Sequence, residues 1–425
     1  MSCGNDQRPD LVLVTAAFPW GTAEQFLETE INYLAAGFRR VILVPSHVHG
    51  LERPLPQGVE AETSLGRAEP VGWRAAARAG LSLAGLGAAY LEPVKRPAVI
   101  FNREALKRMA LFGLRARLVS RWLAGFLPRA GLDPGRTVFY TYWLGPATWG
   151  LGLAKRAQPG LRLVSRVHGG EIYEEQFEPP YLPFVRQAAA KADKILTVSD
   201  HGRRHLRGRF PFLEDRLEVC RLGVGDPGEP AEHSRDGILR IVTCAWLFPL
   251  KRLHLLVEGL LFLTQRRPDL AVEWTHFGDG PLRQDLERRV ESGLASRVRL
   301  RILGTVPNSE VLSFYRTNPV DLLVNLSLSE GLPVSIMEAL SFGVPVAATA
   351  VGGVPEVVNG RNGRLLSPNP GPEEIARALE EFSQPNPGVL AKRQASRETW
   401  RKLCRAEVNY PALCRKLMEV VDDRP

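Results

Sequence analysis

Residues 321–340 constrain the fold more tightly than any other part of the chain. Asp321-Leu322-Leu323-Val324-Asn325-Leu326 is a largely apolar run of the kind found in a parallel strand covered on both faces. It leads into Ser329-Glu330-Gly331-Leu332-Pro333-Val334-Ser335-Ile336-Met337-Glu338-Ala339-Leu340, where a Gly-Leu-Pro turn opens a helix. Pro333 suits the first helical position, because the N–H it lacks would have no partner there. Strand, glycine turn and helix start together make one step of a parallel α/β array. First-turn N–H groups of such a helix carry partial positive charge, so the backbone of Gly331, Leu332, Pro333 and Val334 is a cradle for a phosphate or a sugar hydroxyl. Glu330 precedes the cradle, and Glu338 lies inside the helix, roughly 8 Å along the axis from Pro333 at about 1.5 Å per residue. At that spacing the two carboxylates do not share a proton or a metal; they suit two parts of one elongated ligand. Two solvated glutamates beside an ordinary helix are the plain alternative, and the flanking turn argues against it.

The same alternation of apolar runs and helical stretches recurs along the chain. In the first half it predicts strands at Leu11–Thr15, Val41–Val44, Thr137–Tyr140, Arg162–Ser165, Lys194–Val198 and Leu217–Cys220. The second half restarts at Leu239–Thr243 and continues near Val272–His276, Val298–Leu303, Asp321–Leu326 and Pro345–Ala348. Between the halves, residues 225–237 are rich in Gly, Pro and charge and have no apolar periodicity, the mark of a linker. A chain of 425 residues suits two cores of about 200 residues each. The expected organisation is an N-terminal domain over 1–224, the linker 225–237, a second domain over 238–400 and a helical tail over 401–425 interrupted at Pro411. Both domains are expected to be doubly wound parallel sheets, with ligands at the carboxyl ends of the strands and hence in the cleft where the two domains face each other.

Hydrophobic residues at 44% and charged residues at 24% are ordinary for a globular protein and exclude a disordered chain. The polar start, Met1 to Asp10, lacks the apolar core of an export signal, and the longest weakly polar run, Ala79–Leu91, is too short for a membrane span. Five cysteines with no CxxC spacing argue for a reducing cytoplasm rather than a disulfide framework. The net charge of +9 is concentrated: residues 71–130 hold eleven Lys or Arg against Glu92 and Glu104, which accounts for all of it. Residues 73–127 read as a helical elaboration of the first domain. Arg103, Lys107, Arg117 and Arg121 fall within about 80° of one another on a helix, beside Leu111, Leu114, Leu118, Trp122 and Phe126. A solvated surface and a contact with anionic lipid head groups, or with a polyanionic lipid-linked acceptor, are both open readings of 71–130. Nucleic acid is not indicated, since no helix-turn-helix, zinc-finger or aromatic RNA-binding signature accompanies the charge.

Three further loops at strand ends hold candidate site residues. After the first strand, Gly21 precedes a helix and suits close backbone approach to a ligand. After Arg162–Ser165 comes Arg166-Val167-His168-Gly169-Gly170-Glu171-Ile172-Tyr173, where His168 has two glycines, an acid and a tyrosine beside it. His276 is read as structural. After Leu239–Thr243 comes Cys244-Ala245-Trp246-Leu247-Phe248-Pro249-Leu250-Lys251-Arg252, where Lys251 is placed to offset the charge of a diphosphate.

The Glu330-x7-Glu338 segment is followed by Gly343-Val344-Pro345-Val346 and Gly352-Gly353-Val354-Pro355-Glu356. Phe277-Gly278-Asp279-Gly280-Pro281-Leu282, Leu303-Gly304-Thr305-Val306-Pro307-Asn308 and Asn359-Gly360-Arg361-Asn362-Gly363 also stand in order along the second half. This set resembles the retaining nucleotide-sugar glycosyltransferases of the GT-B fold, in particular the "group 1" family, also called family 4. Phe18–Glu30 and Arg166–Tyr173 resemble members linked to exopolysaccharide synthesis. The resemblance implies two Rossmann-like domains, a last helix crossing back to the first, and transfer of a hexose from a nucleoside diphosphate to a polysaccharide or lipid-linked glycan with retention of configuration. It implies sugar contacts from Glu330 and His168, and diphosphate contacts from Lys251 and the amides of Gly331 to Val334. Glu338 would take the ribose, Val306 the base, and the Gly21 loop would lie beside sugar and pyrophosphate. No D-x-D triplet or metal-ligand cluster occurs, so neither a divalent cation nor another cofactor is implied. The chain departs from the family pattern at Trp246, where an Arg usually stands; Arg252 compensates, Trp246 stacks on a ligand, or the activity is altered. A nucleotide-sugar epimerase of the same fold and a catalytically degenerate nucleotide-sugar-binding protein are the competing readings.

Overall fold

The computed structural model describes residues 7–68, 97–294 and 296–422. Much of the basic segment, residues 71–96, and the run 79–91 lie outside the described residues. The chain forms two compact units, one of residues 1–220 with 410–425 and the other of residues 221–409.

In the first unit seven parallel strands, β1 (Asp10–Thr15), β2 (Val41–Pro45), β3 (Val59–Ala61), β4 (Thr137–Thr141), β5 (Arg162–Val167), β6 (Lys194–Thr197) and β7 (Leu217–Val219), lie in the order β3-β2-β1-β4-β5-β6-β7. Leu11 pairs with Val41 on one side and Val138 on the other, so β1 is central, and Leu11 to Val14 are at most 2% exposed. The second unit holds β8 (Ile238–Cys244), β9 (Ala271–Phe277), β10 (Val298–Ile302), β11 (Leu322–Asn325), β12 (Val346–Thr349) and β13 (Gly363–Leu366) in the order β10-β9-β8-β11-β12-β13. Strand order reverses at β1/β4 in one sheet and at β8/β11 in the other, which are the places where open α/β sheets leave a crevice for a ligand.

Two strands escape the sequence pattern. β3 is a three-residue edge strand with no buried residue, and β13 has two buried residues of four, so neither shows an apolar run. Helix Arg103–Ala130 is capped by Asn102, whose Oδ1 accepts from the N–H groups of Glu104 and Ala105, and ends at Gly131 with φ 62°. Met109, Val119, Leu123 and Phe126 turn inward, while Arg103, Lys107, Arg115 and Arg121 are exposed. Leu114, expected beside the basic stripe, is buried instead, against Ala110 and Leu118.

The segment 225–237 is strapped along the second unit. Asp321 accepts from the N–H groups of Ser234 (2.8 Å) and Arg240 (2.7 Å), and Ala231 donates its N–H to the Phe342 carbonyl. The tail breaks at Cys404–Arg405 and not at Pro411, which lies inside helix Ala406–Asp422. The cause is local: Val224 donates its N–H to the Cys404 carbonyl and accepts from Ala406 N–H, taking backbone groups that a continuous helix would use. Residues 410–422 pack within the first unit, Tyr410 against Tyr33 and Glu419 against Lys194 (2.7 Å).

Candidate active site

In the second unit the loops after β8 and β11 meet at the reversal of strand order. Lys251, in the turn Pro249–Lys251, reaches Glu330 at 2.7 Å, and Asn325 Nδ2 donates to the same Oε1 at 3.3 Å. Arg252 adopts φ 49° and commits its guanidinium to four acceptors: the carbonyls of Leu326 (2.7 Å), Ser327 (3.0 Å) and Pro368 (2.8 Å), and Asn369 Oδ1 (2.9 Å). It therefore braces the loop after β11, with Lys251 held toward Glu330. Trp246 and Phe248 flank buried Leu247 and are 58% and 52% exposed.

Helix Val334–Ser341 begins directly behind Glu330. Pro333 is its N-cap, one position before the first helical place predicted, with φ −66° and ψ 127°, and among the described residues no side chain caps the first turn. The N–H groups of Val334, Ser335 and Ile336 are thus left to a ligand or solvent. Gly352, at φ 53°, allows the loop after β12 to lie against this turn; a Cβ there would come 1.7 Å from the Glu330 carbonyl oxygen. Leu332 is buried, and Gly331 accepts the Gly353 N–H at 2.9 Å.

Glu338, one and a half turns along, is 5% exposed and receives Asn308 Nδ2 at 2.6 Å. Burial pushes its carboxyl up to about 7, with the Asn308 hydrogen bond opposing. Burial, and then the charge of Glu338, push the Cys244 thiol up to about 12. Val306 is half-buried, two residues before Asn308. His276 is fully buried with Nδ1 2.8 Å from Thr243 Oγ1.

In the first unit the loops after β1, β4 and β5 gather around aromatic rings. His168 lies 4.7 Å from the Tyr142 ring and 4.4 Å from Trp143. Glu171 holds its loop by accepting from the N–H groups of His168 (3.1 Å) and Gly169 (2.9 Å), and the ring Nδ1 is 3.3 Å from Glu171 Oε1. His168 Nε2 is buried with no hydrogen-bond partner among the described residues. Glu24 gathers the N–H groups of Ala16, Ala17 and Phe18, at 2.8–3.0 Å, and Trp143 Nε1 at 2.6 Å. Gly21, at φ 66°, is approached by the chain's own His49 carbonyl and donates its N–H to Leu51. A cavity of about 180 Å³ at these strand ends is lined by Thr15, Ser46, His47, Arg115, Leu118 and Trp143.

Sequence reading therefore singles out Lys251, Glu330 and Glu338 but gives no role to Asn325, Asn308, Glu24 or Trp143. Asn308 closes the Gly-Thr-Val-Pro-Asn motif, so its position carried a signal. Glu24 carried none, since its partners are mainly backbone amides whose loop shape the sequence does not display.

Residues 239–384 match the model of the group 1 glycosyl transferases, and residues 138–226 match that of glycosyltransferase family 4. A putative colanic acid biosynthesis glycosyltransferase of Salmonella typhimurium is 28% identical over 56% of this chain and 60% of its own length. One subunit of the phosphatidylinositol N-acetylglucosaminyltransferase of Arabidopsis thaliana is 33% identical over 41% of this chain and 38% of its own length. These matches thus span less than two thirds of either relative. Among solved structures, Anabaena HepE in complex with UDP and glucose superposes with a TM-score of 0.64 at 16% identity, covering 97% of this chain and all of that one (100%). With both domain models matched in order on two parallel-sheet units, the chain carries a glycosyltransferase family 4 domain followed by a group 1 glycosyl transferase domain on the GT-B fold.

Proposed function

We propose that this chain transfers a hexose from a nucleoside-diphosphate sugar to a polysaccharide or lipid-linked glycan, with retention of configuration and without a metal ion. The observation that carries this reading is the Lys251–Glu330 pair at 2.7 Å beside a helix N-terminus that no side chain among the described residues caps. A diphosphate entering there meets the Lys251 ammonium and the N–H groups of Val334 to Ile336, which stabilise the charge that grows as the sugar departs. Glu330, released from Lys251, accepts sugar hydroxyls; Glu338 accepts those of the ribose; Val306 borders the base. Arg252 supports this cradle by bracing the loop after β11. Attack by the acceptor on the face that the diphosphate leaves gives retention with no covalent nucleophile. The first unit holds the acceptor, and its His168 supplies a second polar contact to the donor sugar. The names of the two relatives, one referring to colanic acid biosynthesis and one to phosphatidylinositol, support a glycan or lipid-linked acceptor.

Among the described residues no helix is long and apolar enough to cross a membrane. We place the enzyme in the cytoplasm, touching the anionic membrane face through 71–130, whose described part exposes Arg103, Lys107, Arg121 and Phe101. The test is nucleoside diphosphate release from a panel of donors, with a glycolipid extract presented in phosphatidylglycerol or phosphatidylcholine vesicles. Release that requires the extract, runs faster on the anionic vesicles and falls about 100-fold in Glu330→Ala is the expected outcome. Isomerised donor without acceptor would establish the epimerase reading, and unchanged turnover in both Glu330→Ala and Lys251→Ala would overturn the site.

A further inference from the structure

Helix Pro387–Leu403 of the second unit sets Arg393, Arg397 and Arg401 at steps of four residues, on one side of the helix. With Gln394 and the segment Gly228–Ala231 they line a pocket of about 460 Å³. None of these residues belongs to the loops at the strand ends, and the transfer reaction uses none of them.

Two guanidinium nitrogens beside this pocket have no acceptor among the described residues. Arg393 is 9% exposed and donates Nη1 to the Val320 carbonyl at 2.8 Å and Nη2 to the Ala231 carbonyl, both neutral acceptors. Burial pushes its guanidinium down to about 10, with the charge of Asp321 opposing. Arg397 donates Nη2 to Asp226 Oδ1 at 3.1 Å and to the Gly228 carbonyl, while its Nε and Nη1 are buried with no acceptor among the described residues. Arg401 is exposed at the rim, as is Glu229, the carboxylate that lines the pocket. Asp321 offsets the charge of Arg393 and Asp226 that of Arg397, so what the protein leaves open is the exposed Arg401 and the two Arg397 donors. Buried donors without acceptors are costly, and an anion that reaches them from the pocket satisfies them and adds charge to the contact.

We propose that this pocket binds a phosphate-type oxyanion, either free phosphate or the phosphate of a small phosphomonoester. A planar guanidinium fork matches two oxygens along one edge of such a tetrahedral group and holds it through paired hydrogen bonds. A phosphate seated there joins Arg397 and Arg401 to the segment 228–231, and so stiffens that strap against helix Pro387–Leu403.

Isothermal titration calorimetry in HEPES at constant ionic strength tests this, with inorganic phosphate and then glucose 6-phosphate as titrants. Saturable binding is expected, retained in Lys251→Ala, weakened at least about 5-fold in Arg401→Gln and lost in Arg397→Gln. Arg401 is exposed, so its variant folds and decides the matter if Arg397→Gln does not. The tighter of the two titrants identifies the source of the phosphate. Binding that does not saturate, that is lost in Lys251→Ala, or that is unchanged in Arg401→Gln overturns the proposal. Because Lys251→Ala removes the diphosphate contact, the result stands apart from the transfer reading.

Discussion

Each unit buries a glutamate at the heart of its fold, and the two are treated in opposite ways. In the first unit Glu30 is fully buried and takes Arg166 at 2.6 Å and the hydroxyls of Tyr140 and Tyr142 at 3.4 Å. Arg166 is itself fully buried; burial opposes its charge, but Glu30 outweighs that and holds the guanidinium well above its ordinary range. Its Nη2 goes to the Cys220 carbonyl at 2.9 Å. In the second unit Glu338 is nearly as buried but has an amide, Asn308, where Glu30 has a guanidinium. A charge met by an opposite charge inside the protein serves the fold, whereas a charge left with a neutral partner is held ready for something else. On the proposed function this difference separates a structural carboxylate, Glu30, from a ligand-binding one, Glu338, although both look alike among buried acids.

The largest effect should come from breaking the closed pair. Glu30→Ala leaves the Arg166 guanidinium buried and unmatched, which costs about 3–5 kcal/mol, and Arg166→Met leaves Glu30 in the same position. Replacing both, as Glu30→Leu with Arg166→Met, removes both charges and should recover most of the loss. Hydrogen exchange in β1, β4 and β5 reads this for the first unit alone. If each single variant exchanges as slowly as the parent, Glu30 is not a structural charge and the contrast with Glu338 fails.

Much of this was legible in the residues. The buried strands that build both sheets announce themselves as apolar runs, because a strand covered on both faces has no polar side to interrupt it. The turn at Gly331 to Val334 and its two glutamates were visible for a related reason: proline and glycine at fixed offsets mark a helix start. β3 and β13 were not visible, since strands with few buried residues leave no pattern. Nor could the partners be read. Lys251 meets Glu330 across 79 residues and Arg166 meets Glu30 across 136, and no local rule pairs residues that far apart. Arg252 shows the same limit: as a loop cation it suits a phosphate, but the fold gives its donors to the carbonyls of Leu326, Ser327 and Pro368.

A smaller effect, opposite in sign for stability and for binding, is expected at Glu338. Its carboxyl ionises near 4.5 in an ordinary setting and near 7 in the fold, so between those values the folded chain holds the extra proton. Stability from this group is complete below about 4.5 and is lost as pH rises through about 7, by roughly 3 kcal/mol in all. Glu338→Gln cannot ionise and should be more stable than the parent at pH 8 by roughly 1–3 kcal/mol, with no gain at pH 4.5. It should also bind a nucleoside diphosphate about 10-fold more weakly, a charge-assisted hydrogen bond having become a neutral one. Urea denaturation at the two pH values and calorimetric titration with UDP check the two halves. A variant no more stable at pH 8 would mean that Glu338 has a charged partner after all, and the two units would then be alike.

The smallest effect concerns the exposed edge of the same site. Trp246 is 58% exposed, so exchanging it should leave stability within about 0.5 kcal/mol. On the proposed function, what changes is the charge around the diphosphate. Lys251 already spends part of its attraction on Glu330, and the Arg252 donors are engaged elsewhere, so the cradle is short of one cation. Trp246→Arg supplies it and should tighten UDP binding by about 2–5-fold, equivalent to about 0.5–1 kcal/mol for an ion pair in solvent, with the gain shrinking at high salt. Trp246→Ala should leave UDP affinity unchanged on the same reasoning. If the arginine instead weakens binding and alanine weakens it too, the indole itself lies against the ligand, and the site replaces a cation with a stacking face at the position where its family pattern places charge.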